Sequence, residues 1–129
     1  MSFTLTYASM ANPPEIFHTS YENALADLKT KLGKDYPLII GAEKRFKTEK
    51  FSVHSPINTD WVLATMQKGD AQDAADAIAA AKAAFPAWSA LAWEERVAHV
   101  RAFAQAIQDR IFEIGAAVSL DVGKNRMEA

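Results

Sequence analysis

At 129 residues the chain has the length of one ordinary domain, with half of its residues apolar and about a quarter charged, the balance of a soluble globular protein. Fourteen basic and 16 acidic residues leave a net charge of −2 and a pI near 5.9, which argues against the clustered basic surface that nucleic acid requires. There is no cysteine, so disulfides, zinc-thiolate sites and a cysteine nucleophile are all excluded from these residues.

Residues 1–20, "MSFTLTYASMANPPEIFHTS", carry Pro13-Pro14 and no clear period, and read as an irregular N-terminal arm. No Lys or Arg precedes Lys29 and no long apolar run occurs, so neither a secretory signal nor a membrane span is expected, and the default location is the cytoplasm. Tyr21, Leu25, Leu28 and Leu32 recur at helical spacing, which predicts a helix over 21–32 with Ser20 as a cap and Gly33 as a stop.

Short strands are expected over 36–66. Leu38-Ile39-Ile40 reads as a buried strand ended by Gly41, and Phe51 to His54 alternates apolar and polar residues. Ser55-Pro56 breaks that run, "NTD" at 58–60 makes a turn, Trp61 to Met66 forms another strand, and Gly69 closes the sheet. Short strands joined by tight loops favour an antiparallel meander. The densest basic stretch, Lys44-Arg45-Phe46-Lys47, sits beside Glu43 and Glu49 and reads as a solvated hairpin face.

From Asp70 onward the pattern is helical. Asp70 caps a helix over 70–85, with Asp73 favourably placed in its first turn and Pro86 as its end. Its stripe of Ala74, Ile78, Ala81 and Phe85 lies among alanines that permit a close neighbour. A longer helix over 93–122 carries Val100, Phe103, Ile107, Ile111, Ile114 and Val118, with a bend or break expected between Asp109 and Gly115. Gly123-Lys124 closes it, and 125–129 reads as the start of a further helix. The fold class is therefore α+β and mostly α: a small antiparallel meander followed by long Ala-rich helices.

The residues offer little chemistry. His18, His54 and His99 fall in an arm, a strand end and a helix, without metal-ligand spacing. Glu94-Glu95-Arg96 opens a helix, where acids complement the dipole. Trp61, Trp88 and Trp93 lack the basic interleaving of a base-stacking platform and read as core or interface anchors. Neither a G-x-G-x-x-G nor a P-loop is present. The two long helices carry more apolar surface than a small meander can cover, so either a partner or a further domain is expected to cover it.

The order of elements, and "AAKAAFPAWSALAWEERVAHVRAFAQAIQDRIFEIGAAVSLDVGK" in particular, resembles the N-terminal segment of the aldehyde dehydrogenase superfamily. The pieces "YPLIIGAEK", "SPIN", "QKG" and "DVGKNRMEA" are most similar to its 1-pyrroline-5-carboxylate dehydrogenase branch, which occurs free-standing or inside bifunctional proline-utilisation proteins. The resemblance spans residues 21–129. It implies oxidation of glutamate γ-semialdehyde to glutamate in proline catabolism, with NAD as cofactor, by a parent enzyme that is a homo-oligomer several times longer. It also implies that the nucleophilic cysteine and the general-base glutamate lie outside these residues, so no catalytic or cofactor-binding residue carries over and the chain alone is expected to be inactive. Asp121 matches an acidic position near a monovalent-cation site in some members, which makes it the one metal candidate; read locally, it is an acidic side chain near a helix end. The alternative to a dehydrogenase segment is a stand-alone helical interaction module without catalysis.

Overall fold

The structure, a computed structural model, describes residues 12–129. In chain order its elements are α1 (Glu15–Lys29), β1 (Lys34–Tyr36), β2 (Leu38–Ile40), β3 (Glu43–Arg45), β4 (Lys50–His54), β5 (Val62–Gln67), α2 (Ala71–Ala90), α3 (Trp93–Asp109) and α4 (Ile111–Val122). The fold is α+β and mostly α, as the residue pattern implies.

Several bounds differ from expectation, each for a physical reason. The irregular arm expected over 1–20 falls outside the described residues at 1–11, and at Glu15 it is already helix. Pro14, at the cap with φ −67°, lacks an N–H that the helix start would leave unpaired anyway, so the prolines begin α1 where they were expected to prevent it. Starting there puts Phe17 and Tyr21 on one buried face. At the other end α1 stops at Lys29 with Thr30 as cap, short of Leu32, and Gly33 turns the chain in the left-handed region.

The strands form two sheets. One has the order β1-β5-β4 and the other is the ribbon β2-β3. The pairings β4-β5 and β2-β3 are antiparallel, as a meander requires, but β1 joins β5 in parallel, with Tyr36 opposite Met66. Periodicity sets which face a strand shows, not which strand it meets. Ile39, expected in a buried strand, is 67% exposed because the ribbon covers only the Leu38 and Ile40 side.

Pro86 does not end α2, which runs on to Ala90. Alanines before it and Ala87 after it hold helical geometry at little entropic cost, so the proline forfeits a backbone bond without stopping the helix. The long helix expected over 93–122 is two helices. They part at Arg110, whose φ of −113° and ψ of 18° are not helical, within the expected Asp109–Gly115 window. Residues 125–129 form a single capped turn in which the Ala129 N–H donates to the Asn125 carbonyl at 3.0 Å.

The core lies between α1 and α4. Phe17 and Tyr21 pack against Ala116 and Leu120, all nearly inaccessible to solvent, and the Phe17 and Phe112 rings meet edge to face at 5.7 Å. Two buried hydrogen bonds tie it together. Tyr21 Oη donates to Ser119 Oγ at 2.6 Å, and Ser55 Oγ donates to the Leu120 carbonyl at 2.6 Å, fixing the β4–β5 loop to the end of α4. Gly115 faces the C-terminal turn, where a Cβ would stand in ordinary contact, 3.7 Å from the Ala129 backbone.

Candidate functional site

A groove of about 440 Å³ is bounded by α1, the three-stranded sheet and α4. Leu28, Leu32, Tyr36, Met66 and Leu120 line it, and Asp121 is its one carboxylate among the described residues. Ligand sites of this size pair apolar walls with a few converging polar groups. This groove has the walls without the converging groups.

Asp121 is solvent-exposed in the last turn of α4. Among the described residues, no group of three His, Cys, Asp or Glu side chains is placed to hold a metal ion. The positive-φ glycines, Gly33, Gly41 and Gly123, each serve a turn or a helix cap, and none belongs to a phosphate-cradling loop. The histidines and tryptophans do not converge either: His54 Nδ1 lies 2.8 Å from the Thr59 carbonyl, His99 leans on Trp88, and Trp61 sits under Lys29 Nζ at 4.9 Å.

The densest polar constellation lies where the ribbon meets α2. Lys47 and Arg45 do not form the solvated hairpin face expected of them; both reach the acids of α2. Lys47 Nζ bonds Asp70 at 2.6 Å and Asp73 at 2.8 Å, while Arg45 bonds Asp76 at 2.5 Å and lies 3.5 Å from Asp73. Asp73 is 7% exposed and also accepts from the Asp70 N–H, reciprocating the bond from its own N–H to the Asp70 side chain. This is a capping box built from two aspartates.

The ammonium of Lys47 and the Asp73 N–H hold Asp70 down to about 2. Lys47 also lowers Asp73, and the Arg45 guanidinium lowers Asp76. One buried amide completes the network. Gln67 Oε1 accepts from the Lys47 N–H at 2.8 Å, and its Nε2 donates to the Tyr36 carbonyl at 2.9 Å and to Asp35. Sequence reasoning missed this clasp, although its signals were present: Asp70, Asp73 and Asp76 recur three apart on one helical face, and Arg45 and Lys47 stand two apart along an extended segment.

A second cluster fixes the C-terminal turn. Arg126 bonds Glu22, approaches His18 Nδ1 at 3.2 Å and lies 5.0 Å over the Tyr21 ring, all on α1. Asn125 Oδ1 accepts from the N–H groups of Met127 and Glu128, which is the geometry of a helix N-cap.

The broadest feature is apolar and uncovered. Within α2 only Asp73 is buried, and α3 buries no residue at all. Phe85 and Trp93 are each 64% exposed and Phe103 is 68% exposed, with Ile78 and Val100 continuing the two stripes. Exposed apolar surface of this kind marks an interaction face. None of the helices among the described residues is long and apolar enough to cross a membrane.

Comparison with known proteins identifies the family. Residues 43–129 match the sequence model of the aldehyde dehydrogenase family. The chain is 36% identical over 104 residues to a 1-pyrroline-5-carboxylate dehydrogenase of Oceanobacillus iheyensis, covering 81% of this chain and 20% of that protein. Its fold superposes on the NAD-bound 1-pyrroline-5-carboxylate dehydrogenase from Thermus with a TM-score of 0.87 at 26% identity, over 99% of this chain and 24% of that one. The corresponding enzyme of Mycobacterium tuberculosis gives a TM-score of 0.74 at 31% identity, over 84% and 20%. The chain thus spans about a fifth of the length of the curated relatives it matches.

Proposed function

The chain belongs to the aldehyde dehydrogenase family, and from that premise we propose that it is the N-terminal part of an NAD-dependent 1-pyrroline-5-carboxylate dehydrogenase. The parent enzyme would oxidise glutamate γ-semialdehyde to glutamate in proline catabolism. The observation that carries this reading is the agreement of sequence and fold: the relatives named above share one enzyme name, and the likeness to the Thermus enzyme runs over nearly the whole chain.

In such a parent, bound NAD would accept the hydride, and a cysteine and a glutamate outside these residues would form and hydrolyse the thioester. This chain supplies no cysteine, so the nucleophile's step is not assigned to it. Its part is structural. The α1–α4 core anchors the segment, and the apolar stripes of α2 and α3 are the faces on which the remainder of the enzyme packs.

We further assign the complete enzyme to the cytoplasm as a homo-oligomer. Asp121 would contribute one oxygen donor toward a monovalent cation, a hard ion that takes carboxylate and carbonyl oxygens; the other donors would come from outside the segment.

Purified as it stands, the 129-residue chain should give no NADH from NAD and 1-pyrroline-5-carboxylate, whereas a longer product of the same gene should. Turnover by the short chain would overturn the division of labour. A longer product active only on some other aldehyde would overturn the substrate. The exposed stripes also support a second reading, an interaction module without catalysis, and that reading stands only if the gene's full product is inactive as well.

A further inference from the structure

Two bodies can be distinguished in the molecule by how they are held. The first contains α1, the β1-β5-β4 sheet, α4 and the C-terminal turn, joined by the buried core and its two interior hydrogen bonds. The second contains the β2-β3 ribbon and α2, which contributes only Asp73 to the buried set. Because β1 and β5 run parallel in register, their ends at Tyr36 and Gln67 leave the first body at the same edge. One becomes the ribbon after Pro37, and the other becomes α2 after Lys68-Gly69.

The packing of ribbon on helix is thin. A Cβ on Gly41, in the ribbon turn, would lie 3.8 Å from the Ala80 methyl, and one on Gly69 would lie 3.8 Å from Leu38. Such small-residue contacts bury little area, so they contribute little of the hydrophobic term. What locks the pair is charge. Arg45 and Lys47 grip Asp70, Asp73 and Asp76, Glu43 adds a third carboxylate beside Arg45, and Gln72 holds Asp76 from within α2. The Gln67 amide then bridges the junction, binding the ribbon side at the Lys47 N–H and the sheet side at the Tyr36 carbonyl.

Beyond α2 the chain bends at extended Leu91, returns along α3 and re-enters the first body at non-helical Arg110. Two rigid helices joined at three points of non-helical backbone can rotate about the line through the outer two. We propose that α2 and α3 form a flap hinged at Gly69 and Arg110, and that the Arg45–Lys47–Asp70–Asp73–Asp76 clasp, pinned by Gln67, is the latch that sets its angle. The latch therefore decides how the stripes of Ile78, Phe85, Val100 and Phe103 are presented, whatever surface covers them. The inference does not rest on the parent's substrate.

The absence of cysteine makes the test direct, since spin labels can be placed at Asn23→Cys on α1 and Lys82→Cys on α2 without competing thiols. Both positions are exposed. Distances between them are read by pulsed electron paramagnetic resonance in the full chain, with far-ultraviolet circular dichroism recorded in parallel. The latched chain should give one dominant distance. Arg45→Glu and Lys47→Glu should each raise the population at other distances by roughly two- to five-fold, the range set by loss of one partly exposed ion pair. The charge swap Arg45→Glu with Asp76→Arg should restore the single distance. Unchanged distances in both single variants would overturn the latch. So would a swap that fails to restore the distance, or a loss of helical signal that rises in step with the broadening, because the clasp would then be holding the fold rather than an angle.

Discussion

The helices α1 and α4 meet as a core, whereas α2 and α3 between them stand off as a scaffold. On α1 and α4, apolar residues at helical spacing found one another: Phe17, Tyr21, Ala116 and Leu120 are buried, and each polar group among them is paired. On α2 and α3 the same periodicity produced Phe85, Trp93, Val100 and Phe103, all exposed. Amphipathic spacing thus specifies a face that wants covering, and supplies no information on what covers it. The comparison also separates two kinds of adhesion, hydrophobic burial in the core and ion pairing at the clasp.

Substitutions should respond to that division. Leu120→Ala deletes buried methyl groups beside Ala116 and Tyr21 and should lower unfolding stability by about 2–5 kcal/mol in urea titration. A smaller loss would mean that the core collapses around the hole. Tyr21→Phe keeps the ring and removes the donor to buried Ser119, so about 1 kcal/mol should be lost, with no change in the dependence on urea concentration.

Acid should act on the other region. The carboxylates of Asp70, Asp73 and Asp76 are depressed by Lys47 and Arg45, so their contribution is complete above the ordinary carboxylate range and disappears as pH falls through about 4 toward about 2. Amide exchange should therefore show the first turn of α2 losing protection before the centre of α4 does. Simultaneous loss would erase the distinction between the two bodies. The smallest effect is expected at a large residue that nothing covers. Phe103→Ser, on an uncovered face, should change stability by no more than about 0.5 kcal/mol while reducing the binding of an apolar dye.

How much was legible in the sequence follows from the range of each interaction. Local chemistry was readable: Asp70 caps α2 as its position implies, Gly123 closes α4 with φ +73°, and the helical run breaks at Arg110 within the expected window. Long-range pairing was not. The parallel union of β1 with β5 leaves no periodic trace, and nothing near Arg45 states that its partner is Asp76, 31 positions away. The prolines misled in both directions, since Pro14 opens a helix and Pro86 fails to close one. At the site level, the clasp went unseen because each of its residues is ordinary by itself.

The bond from Tyr21 to Ser119 also has a bearing on how the chain is made. Its partners are 98 positions apart, those of the Ser55–Leu120 bond 65, and those of the Arg126–Glu22 pair 104. Loop closure over such separations must precede any reward from packing. During synthesis at about 5–20 residues per second, α1 would wait roughly 5–20 seconds for α4 to emerge. Throughout that interval Phe17 and Tyr21 would be without the surface that buries them. A helix translated early is thus among the last parts to be finished, and a chaperone that binds nascent apolar segments would find its window there.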